Sequence, residues 1–64
     1  MLRECRKKLN FTQAEVAKLA NISVITYKRY EYGERKPDID TALKIAEILQ
    51  TTVEQLWGGS LTAV

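Results

Sequence analysis

Residues 11–33 read FTQAEVAKLANISVITYKRYEYG, and this stretch decides the fold. The Thr12 side chain can accept a hydrogen bond from the backbone of Glu15, whose carboxylate can accept one in return, which is a capping box. Phe11 and Val16 flank this box at the two positions of a hydrophobic staple. The pattern therefore predicts a helix that begins at Thr12.

A second helix is predicted directly after it, across a tight turn. Asn21 tolerates the left-handed backbone conformation and should end the first of the two helices. Ser23 can cap the next helix, with Ile22 placed to pack onto Tyr27. Gly33 is typical of the residue just past a helix end. Two short helices joined so closely must cross steeply, which predicts a helix-turn-helix.

One helix should precede this pair and two should follow it. The first is predicted by apolar residues at helical spacing, which are Leu2, Cys5 and Leu9, with Asn10 after them. The fourth can be capped by Asp38 or Asp40, and the fifth opens at Thr52 with Gln55 completing a second capping box. The predicted fold class is all-α, a compact bundle of five short helices that contains the helix-turn-helix.

The length of 64 residues allows one small domain. We expect a helix-turn-helix domain over residues 1–57 and a short, frayed tail over residues 58–64, since Gly58 and Gly59 should end the fifth helix. The apolar runs are too short for a membrane span or a signal peptide, which favours a cytoplasmic protein that contacts no membrane.

The chain has one cysteine, Cys5, and no histidine. Neither an internal disulfide nor a cysteine–histidine metal site or nucleophile pair can therefore form. We expect no enzyme activity, no metal and no cofactor. Cys5 lies on the apolar stripe of the first helix, which favours a buried, inert thiol over a redox sensor.

Charge is distributed unevenly along the chain. Residues 1–36 contain nine Lys or Arg against four Asp or Glu, whereas residues 37–64 contain one base, Lys44, against four acids. Such an excess of bases favours an anionic partner for the first half. Two ordinary solvated helix surfaces would give the same split, so charge alone leaves both interpretations open.

The third helix carries one face that mixes cations with aliphatic residues. At about 100° per residue, the side that should pack on the preceding helix holds Tyr27 and Tyr30. The opposite side holds Ile25, Lys28 and Arg29, with Val24 at its flank. In a DNA major groove, apolar side chains can contact thymine methyl groups and cations can donate to guanine O6 and N7. Alternatively, the aliphatic residues cover a core edge and the cations are solvated.

Residues 2–57 resemble the λ-repressor-like, Cro-type (XRE) helix-turn-helix domains. The agreement lies in several short motifs at the family's spacing, which are Thr12-Gln13, Ala17, Ile22-Ser23, Glu31-x-Gly33 and Lys36-Pro37. Two positions depart from the family pattern. Asn21 stands where Gly is usual, and Tyr27 replaces an aliphatic residue.

The resemblance implies a sequence-specific double-stranded DNA-binding protein, a transcriptional repressor of prokaryotic or phage type located at the nucleoid. It would read the major groove with the helix Val24-Tyr32. Base readout is expected from Ser23, Val24, Ile25, Lys28 and Arg29. Contacts to the phosphate backbone are expected from Thr12, Gln13, Tyr32, Arg35 and Lys36.

The resemblance also implies a structural ion pair and a dimer. Arg6 should pair with Glu31 and hold the third helix against the first. A homodimer on a two-fold symmetric operator, with half-sites about 34 Å apart, would contact its partner copy through the fifth helix. Its apolar residues Val53, Leu56 and Trp57 are possible dimer contacts, although Trp57 can equally cap the core. No small-molecule effector is evident.

A second class of function stays open on the sequence. A helical protein-interaction module, of the antitoxin or anti-repressor type, would reuse the same fold without touching DNA. It would tolerate neutralisation of Lys28 and Arg29, whereas a DNA-binding protein would not.

Overall fold

Five α-helices make up the fold in a computed structural model that describes residues 2–58. Their bounds are α1 Leu2–Lys8, α2 Gln13–Leu19, α3 Val24–Glu31, α4 Ile39–Ile48 and α5 Val53–Trp57. The described residues contain no β-strand, and the predicted all-α fold class is confirmed. Among them, no helix is both long enough and apolar enough to cross a membrane. Of the predicted tail only Gly58 is described, and Gly59 lies outside with the rest.

The predicted capping residues begin four of the helices. Thr12 forms the complete capping box of α2, because its hydroxyl accepts from the Glu15 N–H at 3.0 Å and the Glu15 carboxylate accepts from the Thr12 N–H at 2.7 Å. Ser23, Asp38 and Thr52 each accept one hydrogen bond from the backbone N–H three residues on. These bonds satisfy donors that a helix start leaves without a partner.

The structure decides between the two predicted caps of α4 and differs from the prediction at α5. Of the two candidate acids, Asp38 caps α4, because Asp40 already lies inside its first turn. At α5, Thr52 accepts from the Gln55 N–H, but the Gln55 side-chain oxygen accepts from the Thr51 hydroxyl at 3.3 Å. The second capping box is therefore wrong in its reciprocal half, since the Gln55 side chain has turned to a neighbouring donor.

Within residues 2–58, three residues other than glycine adopt the left-handed conformation, all of them in turns. Asn10 (φ 60°) follows α1 and Asn21 (φ 59°) lies between α2 and α3, both as predicted. Gln50 (φ 56°) does the same after α4, where the sequence did not indicate it. A positive φ allows the chain to reverse within a few residues, which brings successive helices into contact.

The core lies between the five helices. Its largest fully buried side chains are Val16, Tyr27 and Ile45, contributed by α2, α3 and α4. Tyr27 is the buried residue of α3, so this helix is anchored on the core through one aromatic ring. Phe11 and Ile22, the outer partners of the two predicted staples, are half-buried against the same cluster.

A buried ion pair joins α1 to the end of α3. The Arg6 Nε donates to the Glu31 Oε2 at 2.6 Å, and the Arg6 Nη2 donates to Oε1 at 3.4 Å. The Arg6 Nη1 also donates to the backbone carbonyl of Phe11 at 2.9 Å. The two charged side chains are only 11% and 2% exposed. The predicted pair is confirmed, and Arg6 also links α1 to the residue that precedes α2.

The carboxylate of Glu31 is held ionised in this buried position. Burial raises the pKa of Glu31, but hydrogen bonds from Arg6 and Gln13 lower it by more, and the pKa lies below its ordinary value of 4.5. Burial raises the pKa of the neighbouring Tyr27, and the Glu31 charge adds to that rise. The Tyr27 hydroxyl is buried and has no hydrogen-bond partner within residues 2–58. A charged carboxylate therefore lies beside a neutral phenol.

We expect Glu31→Ala to lower the free energy of unfolding by about 3–5 kcal/mol, because it leaves the buried Arg6 guanidinium without its counter-charge. For a domain of this size, that loss lowers the melting temperature by roughly 12 °C or more. Thermal unfolding followed by circular dichroism measures it. The control is Glu34→Ala, which removes an exposed carboxylate nearby. Equal shifts in the two variants would contradict the account of the pair.

The same pair should make stability depend on pH in the acid range. Because the folded chain lowers the pKa of Glu31, its stabilisation is complete above the ordinary carboxyl pKa and is lost as the pH falls through the folded value. We compare the wild type with Glu31→Gln by urea unfolding between about pH 7 and about pH 3. The difference in unfolding free energy should shrink towards the acid end. A constant difference would show that Glu31 does not titrate with a lowered pKa.

Candidate nucleic-acid interface

The face of α3 that points away from the core is exposed as the helical spacing predicts. Val24 is 36% exposed and Ile25 is 64% exposed, and both Lys28 and Arg29 are exposed. Neither cation forms an ion pair within the part of the chain that is described. We call Ser23, Val24, Ile25, Lys28 and Arg29 the recognition face. It places two positive charges next to aliphatic side chains on one helix surface.

The Ser23 hydroxyl is used mainly to cap the start of α3. Its hydroxyl accepts from the Thr26 N–H at 3.1 Å and donates to the Thr26 Oγ1 at 2.9 Å. A serine hydroxyl has one donor and two acceptor positions, so a single acceptor position is left for a base. Among the polar residues predicted to read bases, Ser23 therefore has less hydrogen-bonding capacity to offer than Lys28 or Arg29.

The start of α2 is connected directly to the end of α3. The Gln13 Nε2 donates to the Glu31 Oε1 at 3.0 Å, so the side-chain amide of Gln13 joins the Arg6–Glu31 pair. Thr12, the other residue predicted to contact phosphate here, uses its hydroxyl and N–H in the capping box. Both predicted phosphate contacts thus have side chains that are already held within the protein.

The loop after α3 begins with a Schellman motif. The Glu34 N–H donates to the Arg29 carbonyl at 2.9 Å, and the Gly33 N–H donates to the Tyr30 carbonyl at 3.3 Å. Gly33 has a φ of 75°, a conformation in which a β-carbon would be strained. The motif ends the helix abruptly and fixes the direction in which the following loop leaves.

Three predicted phosphate contacts belong to this loop, and all are on the surface. Tyr32 is 62% exposed, and Arg35 and Lys36 are both exposed. Pro37 is buried immediately after them, which attaches the far end of the loop to the domain. The loop therefore presents one aromatic ring and two cations between two fixed points.

The predicted dimer contacts in α5 are placed differently. Val53 is 8% exposed and Leu56 is 6% exposed, so both belong to the core of the single chain. Trp57 is half-buried and packs against that core. Contrary to the prediction, Val53 and Leu56 do not lie on an exposed surface, because the five-residue α5 uses them to cover the bundle. Cys5, predicted to be buried, is half-buried.

Other features have little or no signal in the sequence. Gln13 and Glu31 are 18 residues apart, and nothing in their local patterns indicates that they meet. Large apolar side chains are also exposed outside the recognition face, namely Leu19, Ile39 and Leu43. The last two lie four residues apart on α4, beside its buried stripe, which a helical wheel could have shown.

Comparison with known proteins gives a match over nearly the whole chain. The model of a family described as "Helix-turn-helix" matches residues 2–56. The cryptic phage CTXφ transcriptional repressor RstR of Vibrio cholerae is 42% identical over 53 residues, which are 83% of this chain and 47% of that protein. Two regulators of Bacillus subtilis, AnsR and ImmR, are each 37% identical over 57 residues, which cover 89% of this chain and 49% and 45% of theirs.

The chain spans about half the length of these curated relatives. No solved structure gives a significant match. The family match covers α1 to α4 and all but the last residue of α5, including the turn between α2 and α3 and the loop after α3. The chain therefore belongs to the XRE-type helix-turn-helix family.

Proposed function

We propose that this protein binds double-stranded DNA at specific sequences and regulates transcription, as a repressor. The observation that carries the proposal is the recognition face, where Val24, Ile25, Lys28 and Arg29 are exposed on one side of a helix anchored through Tyr27. The names of the relatives, a transcriptional repressor and two transcriptional regulators, support the same function. The protein acts as a binding protein rather than an enzyme, in the cytoplasm.

The chemistry of the face suits a major groove. Lys28 and Arg29 can donate hydrogen bonds to guanine O6 and N7, and the guanidinium can do so in a bidentate manner. Val24 and Ile25 have no polar atoms in their side chains, and they would contact thymine methyl groups. Readout would therefore depend on few hydrogen bonds and in part on the shape of the groove.

Phosphate contacts would fix the register of this helix on the duplex. Thr12 and Gln13 lie at the start of α2, and the loop after α3 carries Tyr32, Arg35 and Lys36. Because Gln13 is hydrogen-bonded to Glu31, the start of α2 and the end of α3 would meet the DNA backbone as one rigid unit.

A module this small would gain affinity by binding as a homodimer on a two-fold symmetric operator. The half-sites would then lie about 34 Å apart, one turn of the double helix. With Val53 and Leu56 in the core, Trp57 is the α5 side chain left to contribute to such a contact.

Selection of bound sequences from a pool of random duplexes tests the proposal. We expect the selection to recover a specific half-site as an inverted repeat. The logarithm of the binding constant should fall linearly with the logarithm of the salt concentration. Binding to no duplex at low salt would contradict DNA binding and favour a protein-interaction module. A selected site without a repeat would contradict the homodimer alone.

Substitution of one cation on α3 tests which surface reads the bases. We expect Arg29→Gln to weaken binding to the selected site by roughly fivefold to 150-fold, corresponding to about 1–3 kcal/mol for a base contact. The loss should be smaller on a scrambled duplex, because base contacts are then absent. Gel-shift titration of both duplexes measures the difference.

The matched control is Lys44→Gln, which removes one exposed positive charge from α4. It should leave the preference for the selected site unchanged. If the two variants lose the same affinity on both duplexes, Arg29 acts only through net charge, and the assignment of base readout to α3 is wrong.

A further inference from the structure

We propose that one edge of α1, carrying Arg3 and Lys7, is an additional contact surface for the DNA phosphate backbone. This inference rests on the proposed DNA-binding function and deepens it. Neither residue is among those predicted to contact DNA from the sequence. Their placement follows from which helices lie beside each of the two sides of α1.

The position of Arg6 defines the first flank of α1. Arg6 donates to the carbonyl of Phe11, just before α2, and to the carboxylate of Glu31, in the last position of α3. This flank therefore lies over the junction between the start of α2 and the end of α3. The proposed phosphate contacts at Thr12 and Tyr32 adjoin the same junction.

Helical geometry places Arg3 and Lys7 outward from Arg6 on that flank. At about 100° per residue, Arg3 lies about 60° round the helix from Arg6, and Lys7 lies about 100° from it in the same direction. The buried or half-buried residues of α1 lie on the other side of Arg6, and these are Leu2, Cys5 and Leu9. Arg3 and Lys7 are both exposed, as this geometry requires.

Lys8 marks the opposite flank of the same helix. It lines a shallow depression together with Cys5 and Leu9 of α1, and the other walls come from the end of α4 and from α5: Leu49, Gln50, Thr51 and Gln55. Helical geometry places Lys7 on the Arg6 side of α1, nearer to α2 and α3. Lys8 instead lines a depression formed with the end of α4 and with α5.

The charges of this edge are available to an anion. Neither Arg3 nor Lys7 forms an ion pair with another residue in the range 2–58. The carboxylate of Glu4 lies between Lys7 and Lys8 on the helix surface, at about 60° from the first and about 40° from the second. Its angular separation from the two lysines is similar, so helical geometry gives neither of them a clearly closer acid.

A phosphate is the anion that fits this placement. A lysine ammonium acts on phosphate as a point charge, and an arginine can add a second hydrogen bond. Both side chains are long and exposed, so they can reach the backbone beside the groove that α3 would occupy. Such contacts are independent of base sequence and release bound counter-ions, so they should contribute to the salt dependence of binding.

The test compares Lys7→Gln with Lys8→Gln, a pair matched in helix, charge and exposure. The probe is a duplex carrying the site recovered by random-site selection, with a scrambled duplex of equal length. We expect Lys7→Gln to weaken binding to both by about fivefold to tenfold at moderate salt and to reduce the log–log salt slope by about 0.9. Lys8→Gln should change the slope little. Arg3→Gln should behave like Lys7→Gln.

Melting temperatures of the three variants show whether each is folded, and exposed substitutions on α1 should leave them close to the wild-type value. An unchanged salt slope in both Lys7→Gln and Arg3→Gln would overturn this proposal while the proposed function stands. Equal losses in Lys7→Gln and Lys8→Gln would overturn it too, since net charge alone would then explain them. A wild-type chain that binds no duplex would overturn both.

Discussion

The buried pair of Arg6 and Glu31 is the interaction on which the geometry of this small domain depends. The pair connects α1, α2 and α3 at one point. Arg6 also donates to the carbonyl of Phe11, just before α2, and Glu31 also accepts from the Gln13 amide at the start of α2. The core of a 64-residue chain is marginal, so a buried pair between helices adds materially to the packing that orients them. The helix α3 is attached to the core by one fully buried ring, that of Tyr27. The ion pair of Glu31 at the end of α3 is its second attachment, and the two together fix the orientation of the helix.

Much of the fold is legible in the sequence because its signals are local. The caps at Thr12, Ser23 and Asp38 act over three residues, so a short pattern contains both partners of each bond. The left-handed turns at Asn10 and Asn21 use a residue type that tolerates positive φ. Helical periodicity likewise assigns the exposed side of α3, because a single rotation per residue determines which side chains point away from the core.

The features that the sequence did not indicate depend on tertiary structure or on competition between neighbouring hydrogen-bond donors. The Gln13 amide meets Glu31 only after α2 and α3 have packed. The burial of Leu56 depends on how much core a five-residue helix must cover, which no local pattern measures. Gln50 adopts a positive φ without being a typical residue for it, and the Gln55 side chain had two neighbouring donors of similar reach. The first two of these features are decided by the packing of helices that are distant in the sequence.

The central claim is that the exposed side of α3, held by its two attachments, is the surface that binds DNA. Titration of the ¹⁵N-labelled protein with the selected duplex, followed by amide chemical shifts, tests it most directly. The account predicts that the largest changes fall on residues 23–29, with further changes at the start of α2 and in the loop after α3. Changes concentrated around Ile39 and Leu43 on α4, with residues 23–29 unaffected, would contradict it.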